Sequence, residues 1–215
     1  MNTELIVLHS TKVGDNSIVA HTLSKEYGRR SFLIRGVSRK AVMTLMLPLT
    51  ILEAEIVETS RSSLYSARNL SLRYPLLGIR NNVFKNSITL FISEVLYRTV
   101  KEGANEQGLY EWCEKNILLL DAIGDDFSNF HLRFILELAV MLGFSPEAHD
   151  LLPFVGEHYP IVEQFMKSDF ADAMLIPLNG VTRNEIAEEI LRYIEFHSES
   201  AVNVSSLRVL RELFS

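Results

Sequence analysis

The chain has 215 residues, of which 47% are hydrophobic and 22% are charged, and its formal net charge at pH 7 is −6. This composition is that of an ordinary globular protein, which excludes the disordered, collagen-like and mucin-like classes. The length allows one large domain or two small ones, and the acidic balance of the whole chain argues against a nucleic-acid binder.

The first 80 residues predict a β-domain, because short β-rich runs alternate with turn residues. In the third run Phe32 and Ile34 share one face while Leu33 and Arg35 share the other. Gly28 stands in the turn before that run, where glycine adopts a positive φ at little cost. The predicted strands are 4–9, 18–23, 31–37, 51–58 and 64–70. Five strands in this length fit a barrel of the oligonucleotide-binding (OB) type.

After about residue 80 the apolar residues recur with a helical period. Residues 88–96 and 109–120 each carry an apolar stripe, and residues 130–142 are apolar on almost every face. This last run predicts a buried central helix that ends at Gly143. Short helices broken by prolines are expected in 144–181, a capping box at Thr182 predicts the start of the next helix, and a last helix covers 207–214. The predicted fold is α+β, with an OB-type barrel in residues 1–80 and an all-helical domain in residues 81–215.

The charge is unevenly divided between these two segments. Residues 1–80 hold 11 lysines and arginines against 6 acidic residues, a net charge of +5, whereas residues 81–215 carry −11. Cations along one groove of a barrel would follow a phosphate backbone. Tyr27 is the nearest aromatic candidate for stacking on a base. The alternative, which the pattern leaves open, is a solvated barrel face with ordinary surface cations. The cluster comprises Lys12, Lys25, Arg29, Arg30, Arg35, Arg39 and Lys40.

Motifs that carry catalysis are missing from the sequence, which has no glycine-rich phosphate loop, HExxH or nucleophile elbow. His149 and His158 lie near acidic residues, but their spacing matches no metal template, so a metal-dependent hydrolase is the least favoured hypothesis. Cys113 lies on an apolar stripe and is predicted to be an inert core thiol. Arg133 precedes Glu137 by four residues, which predicts an ion pair on one helix, with reception of a partner's carboxylate as the alternative.

Targeting and redox features indicate a cytoplasmic protein. The sequence has no run of about 20 apolar residues that would span a membrane. Its first residues lack the basic region and cleavage site of a signal peptide. A single cysteine excludes an intrachain disulfide and suits a reducing compartment.

Short motifs follow one another in a characteristic order along nearly the whole chain. In the predicted barrel they are the segments 6–9, 14–17, 26–29, 33–37, 39–40 and 47–49. In the helical half they are 94–97, 129–132, 142–144 and 206–214. Together these motifs resemble those of RecO, a family of bacterial DNA-repair and recombination mediators.

The resemblance implies a protein without catalysis that binds single- and double-stranded DNA and anneals complementary strands. It also implies action with RecR to load RecA onto DNA coated by single-stranded-DNA-binding protein, and a nucleoid-associated location in the cytoplasm. The acidic C-terminal tail of the coating protein would bind the helical domain, where Arg133 is the candidate contact. The DNA-binding set comprises Arg35, Arg39 and Lys40, completed by Arg29, Arg30 and Lys12.

One departure from the family concerns zinc. Many members carry four cysteines for a structural zinc in the helical half, whereas this chain has only Cys113. The resemblance therefore implies that the zinc site is lost, that no cofactor is bound and that residues 144–181 fold differently. A function of another class stays open: an adaptor whose barrel and helical domain bind only proteins and have little affinity for DNA.

Overall fold

The computed structural model of the chain describes residues 1–36, 44–58, 65–144, 146–198 and 201–214. The chain divides into two compact units. The barrel unit comprises Met1–Leu77 and Val100–Leu118, and the helical unit comprises Gly78–Thr99 and Leu119–Ser215. The domain limit predicted at residue 80 stays a prediction. Segment 100–118 is grouped with the barrel, and its contacts shape the candidate site.

The barrel unit contains a closed barrel in which the strands follow the order β1-β2-β3-β5-β4. Strand β3 runs parallel to β5, and the other neighbours are antiparallel. The predicted OB-type barrel is thereby confirmed. The predicted strand ends at Val37 and Leu64 lie outside the described residues. The strands are β1 (Asn2–Val13), β2 (Ser17–Ser24), β3 (Gly28–Arg35), β4 (Ile51–Val57) and β5 (Tyr65–Leu72).

Alternation along the strands fills the barrel interior. Phe32 and Ile34 of β3 point inward, as their spacing predicts, and both are at most 2% exposed. Leu52, Ala54 and Ile56 of β4 also point inward. The full core cluster is Leu5, Val7, Ala20, Phe32, Ile34, Leu52, Ala54, Ile56 and Ala67. The residues between these inward positions face outward and form the surfaces on which the candidate site lies.

The barrel is followed by helices joined by short loops, which completes the predicted α+β class. They are α1 (Leu77–Arg80), α2 (Val83–Thr99), α3 (Leu109–Ala122), α4 (Phe130–Met141), α5 (Ala148–Val155), α6 (Tyr159–Lys167), α7 (Phe170–Leu175), α8 (Gly180–Ser198) and α9 (Leu207–Leu213), with a 3₁₀ turn at Gly156–His158. Within the described residues, no helix combines the length and the apolarity that crossing a membrane requires.

The predicted helix over 130–142 is confirmed as α4, which is largely buried and is followed by Gly143 at φ +84°. The predicted start of the next long helix at Thr182 is wrong, because α8 begins at Gly180. The side chain of Asn179 accepts a hydrogen bond from the backbone N–H of Thr182 (2.9 Å), so this asparagine supplies the cap before the predicted position. Pro153 lies inside α5 rather than between helices.

A buried polar network joins α4, α7 and α8 within the helical unit. The side-chain amide of Asn129 donates to the carbonyls of Ala173 (3.1 Å) and Ile176 (2.8 Å), and it also reaches Met174. Its oxygen accepts from Nε of Arg183 at 3.0 Å. The network satisfies carbonyls at the end of α7 that would otherwise be buried without partners.

Candidate nucleic-acid interface

Three rows of residues cross strands β1, β2 and β3 on the outside of the barrel. Pairing places Val13, Ser17 and Arg35 in one row, followed by a second row of Thr11, Val19 and Leu33. The third row is His9, His21 and Ser31. We call these nine residues the outer face. None of the nine carries a carboxylate, and in OB folds this side of strands 2 and 3 is the usual surface for oligonucleotides.

Arg35 ends β3 at one edge of the outer face, where its side chain is exposed. The next backbone N–H, that of Gly36, donates to the carbonyl of Asn16 at 3.0 Å, which holds this end of β3 against the β1–β2 turn. Within the described residues Arg35 forms no ion pair. An exposed guanidinium on a rigid strand is a suitable group for a phosphate oxygen.

Lys12 lies at the same end of the barrel but not on the outer face. It is exposed, and pairing places it in the row of Ile18 and Ile34, whose side chains point inward. Its Cα is two strands from that of Arg35, a separation of roughly 10 Å. Lys12 therefore adds positive charge at the rim of the barrel, next to the row that Arg35 ends.

A hydrogen-bonded cluster occupies the opposite edge of the outer face. Nδ1 of His21 lies 2.8 Å from Oγ of Ser31, and Nε2 of His21 lies 3.3 Å from Oγ1 of Thr11. The ring of His9 stacks on that of His21, with centroids 5.7 Å apart and planes inclined by 22°. Glu102 of segment 100–118 accepts from the backbone N–H of Ser31 at 2.8 Å.

Arg29 does not take the position predicted for it in a DNA-binding groove. It is only 4% exposed, and its guanidinium donates to Glu102 at 2.8 Å. The backbone N–H of Arg29 donates to the carbonyl of Ala104 at 2.7 Å, so segment 100–118 covers this part of β3. A buried arginine already paired with a carboxylate does not reach a phosphate, and we remove Arg29 from the DNA-binding set.

Arg30 is half-buried and lies on the other side of β3 from Arg35. Its guanidinium lies 5.0 Å from the ring centroid of Tyr65, and the ring of Tyr27 lies 5.8 Å from that of Tyr65. This cation–π cluster packs at the edge of the barrel core. The structure therefore does not bring Arg30 and Tyr27 together with Arg35. Two further predicted contacts, Arg39 and Lys40, lie outside the described residues.

Much of the barrel's positive charge is neutralised within the unit itself. Arg73 pairs with Glu4, with Glu53 at 3.2 Å and with Glu114 at 3.3 Å, and Lys25 also pairs with Glu4 at 3.6 Å. With segment 100–118 included, the unit holds 12 lysines and arginines against 10 acidic residues, a net charge of +2. Sequence reasoning missed this segment's acidic contribution. A DNA-binding role of the barrel would therefore depend on the exposed cations that form no ion pair within the described residues.

In the helical unit, the predicted ion pair of Arg133 with Glu137 is confirmed at 2.6 Å. The same guanidinium donates to the carbonyls of Phe165 (2.6 Å) and Ser168 (3.0 Å), at the end of α6. Arg133 thus holds α4 and α6 together. Its role in receiving an acidic tail stays a prediction, and such a role would compete with these three contacts.

In the part of the chain that the structure describes, no group of three or more histidine, cysteine or acidic side chains is placed to hold a metal ion. Cys113 is buried, and burial raises the pKa of its thiol, as expected for an inert core residue. His158 lies 3.0 Å from Glu189, and His149 lies 3.2 Å from Asp150. The family's cysteine zinc site therefore does not fit this chain.

Comparisons with known proteins match the same family along most of the chain. The family model described as "Recombination protein O N terminal" matches residues 1–75, and "Recombination protein O C terminal" matches residues 80–151. The DNA repair protein RecO of Phocaeicola vulgatus is 29% identical over 234 residues, which cover 98% of this chain and 97% of that protein. The corresponding protein of Bacteroides fragilis is 28% identical, with 97% of each chain covered. That of Porphyromonas gingivalis is 33% identical over 147 residues, covering 66% of this chain and 60% of the relative.

Proposed function

Because the chain belongs to the RecO family of DNA repair and recombination proteins, we propose that it is a recombination mediator that binds single- and double-stranded DNA through its barrel. In this proposal the protein anneals complementary strands and, with RecR, helps to load RecA onto single strands coated by single-stranded-DNA-binding protein. It acts by binding alone and performs no catalytic step.

The observation that carries the proposal is the exposed guanidinium of Arg35 at the edge of a face whose nine residues carry no carboxylate. Lys12 adds a second cation at the same end of the barrel. Contacts of this kind neutralise phosphates and release condensed counterions, so binding is independent of base sequence and weakens steeply with salt.

Annealing follows from the same charges. Two complementary strands repel each other through their phosphates, and cations beside one strand lower the cost of bringing the second one close. Because phosphate contacts leave base edges unoccupied, a strand held in this way keeps its bases free to pair. Two exposed cations at this end of the barrel, Arg35 and Lys12, support modest affinity, which suits a protein that must release the duplex it forms.

Replacing Arg35 with glutamate is expected to weaken binding of single strands and duplexes by about tenfold at low salt, because the change removes a phosphate contact and adds a repelling charge. The slope of log K against log salt should fall by about 1. Fluorescence anisotropy of labelled oligonucleotides over a salt series measures both quantities, and a strand-annealing assay should slow in parallel. Combination with Arg39→Glu should weaken binding further.

Arg192→Glu is the matched control. Arg192 is an exposed arginine on α8 of the helical unit, so it is not part of the barrel or of the outer face. The same charge reversal there should change affinity much less. Equal losses in both variants would indicate a general charge effect and would contradict the assignment of Arg35.

An adaptor that binds only proteins is the second candidate, and the barrel unit's net charge of only +2 favours it. If single strands fail to bind the unmodified protein at low salt while RecR or the coating protein's tail co-elutes with it, the adaptor is correct and the DNA-binding proposal is wrong.

A further inference from the structure

We infer that residues 101–108 form a detachable strap over strand β3, and that Glu102 makes this strap autoinhibitory because its carboxylate holds the guanidinium of Arg29 away from DNA. The inference rests on the proposed function, since it concerns how many cations the barrel offers to a DNA strand. Release of the strap adds Arg29 to the exposed cations Arg35 and Lys12.

Arg29 is withheld from the surface although its strand position is favourable. It lies on the same side of β3 as Arg35, because an even number of residues separates the two positions. The Cα atoms of these two arginines are roughly 20 Å apart along the strand. Arg29 is only 4% exposed. DNA along this side of β3 therefore meets one accessible arginine while the strap is closed and two once the strap has left.

Glu102 is the side chain that fastens the strap. One carboxylate oxygen accepts from the guanidinium of Arg29 at 2.8 Å and from the hydroxyl of Ser31 at 3.2 Å. The other accepts from the backbone N–H of Ser31 at 2.8 Å. The carboxylate side chain is nevertheless 54% exposed, so the attraction between the two charges is partly screened by solvent and salt. The ion pair is therefore open to competition from other anions.

Backbone hydrogen bonds complete the attachment of the strap. The N–H of Gly103 donates to the carbonyl of Arg29 at 2.8 Å, and the N–H of Arg29 donates to the carbonyl of Ala104 at 2.7 Å. Of the residues 101–108, Ala104 is half-buried and the others are exposed, so the strap buries little apolar surface. A segment held by polar contacts at the surface opens locally at a lower free energy than a packed core does.

The strap is loosely packed where it passes the β2–β3 turn. A cavity of about 270 Å³ is lined by residues 105–108 together with Ser24, Lys25 and Gly28 of the barrel. Packed protein interiors contain few voids larger than a water molecule. Movement of the strap at this point therefore breaks no close packing.

DNA and the strap compete for the same guanidinium. A strand held at Arg35 brings further phosphates along β3, and these repel the carboxylate of Glu102 while they attract Arg29. If DNA reaches Arg29 only in the open state, it shifts the population towards that state. Closing of the strap lowers the apparent affinity in proportion to the fraction of molecules that are open. The strap thus limits how tightly the barrel holds a strand.

Glu102→Gln is expected to raise the affinity for a labelled oligo-dT strand about fivefold at low salt and the slope of log K against log salt by about 1, because one phosphate contact is gained. Glu106→Gln removes one negative charge from the same strap and leaves the Arg29–Glu102 pair in place, so affinity should change by less than about twofold. When Arg29→Gln is combined with Glu102→Gln, the gain should disappear. Fluorescence anisotropy measures the affinities once circular dichroism has shown that the variants fold.

Hydrogen exchange tests the strap without DNA. The backbone N–H groups of Arg29, Ser31 and Gly103 take part in the contacts between the strap and β3, so their exchange reports its opening. In the unmodified protein they should exchange about tenfold or more faster than the amides of residues 32–34, which lie between β2 and β5. Glu102→Gln should accelerate these three amides further and leave residues 32–34 unchanged.

The outcomes separate this inference from the function on which it rests. Exchange of the three amides as slow as that of residues 32–34 shows that the strap is a fixed part of the barrel and overturns the inference. Unchanged affinity in Glu102→Gln, an equal gain in Glu106→Gln, or a gain that survives Arg29→Gln also overturns it. All of these results leave DNA binding through Arg35 intact. If the unmodified protein binds no DNA, the proposed function itself fails, and autoinhibition fails with it even where the strap opens.

Discussion

Replacing Gly28 with alanine is expected to lower the free energy of unfolding of the barrel unit by about 3 kcal/mol or more. Gly28 has φ +62°, which costs any residue with a Cβ about 1–2 kcal/mol. A Cβ added there would also lie 2.1 Å from the carbonyl oxygen of Ala104 and 2.7 Å from Cα of Asn105. Both neighbours are backbone atoms, so the clash is relieved only by moving segment 100–118 away from β3.

Gly36→Ala provides the matched control for this prediction. Gly36 has a similar φ of +69°, but an added Cβ would meet nothing within 4 Å. Its substitution should cost only the conformational penalty, about 1–2 kcal/mol. Urea unfolding followed by the fluorescence of Trp112, the chain's single tryptophan and a residue of the barrel unit, measures both variants. Equal losses of unfolding free energy in the two variants would show that the close approach of Ala104 to Gly28 does not contribute to the destabilisation.

The same glycine shows how far the sequence predicts this fold. Local patterns are sufficient for the strands and for the turn at Gly28, because period-two alternation and turn residues act over a few positions. The approach of Ala104 to Gly28 joins residues 76 positions apart, and no local pattern encodes such a contact. The sequence therefore predicts the turn at Gly28 but not the close approach of Ala104, which is the second reason why a glycine is needed there.

The same distinction between local patterns and long-range contacts applies to the candidate site. Arg29 and Arg30 look equivalent in the sequence, yet Arg29 is buried and pairs with Glu102, 73 positions away, while Arg30 stacks on Tyr65. The His9–His21 stack depends on a register shift between Val7 and His9. Without this bulge His9 would pair with Ala20, and bulges leave little trace in a single sequence. Arg35 lies on the opposite face of β3 from Phe32 and Ile34, as predicted, because strand alternation alone determines its side.

Acid is expected to destabilise the helical unit through His131. This residue is 1% exposed, and its ring packs between those of Phe91 (5.6 Å) and Phe214 (6.4 Å). Burial, together with the charge of Arg183, lowers the pKa of His131 to about 3 from the ordinary value of 6.5. As the pH falls below 6.5, the imidazole is protonated in the unfolded chain but stays neutral in the folded chain. The free energy of unfolding therefore decreases until the pH reaches the pKa of the folded state. At pH 5 this amounts to about 2 kcal/mol.

His131→Leu removes the titrating group while keeping an apolar side chain of similar volume. The difference in unfolding free energy between pH 7 and pH 5 should therefore be about 2 kcal/mol smaller in this variant than in the unmodified protein. Urea unfolding followed by far-ultraviolet circular dichroism, which reports the helices, measures the difference. His149→Ala is the control, because His149 is exposed and should leave the pH dependence intact. If His131→Leu retains the full pH dependence, the acid sensitivity arises from other groups, and the lowered pKa of His131 is not its cause.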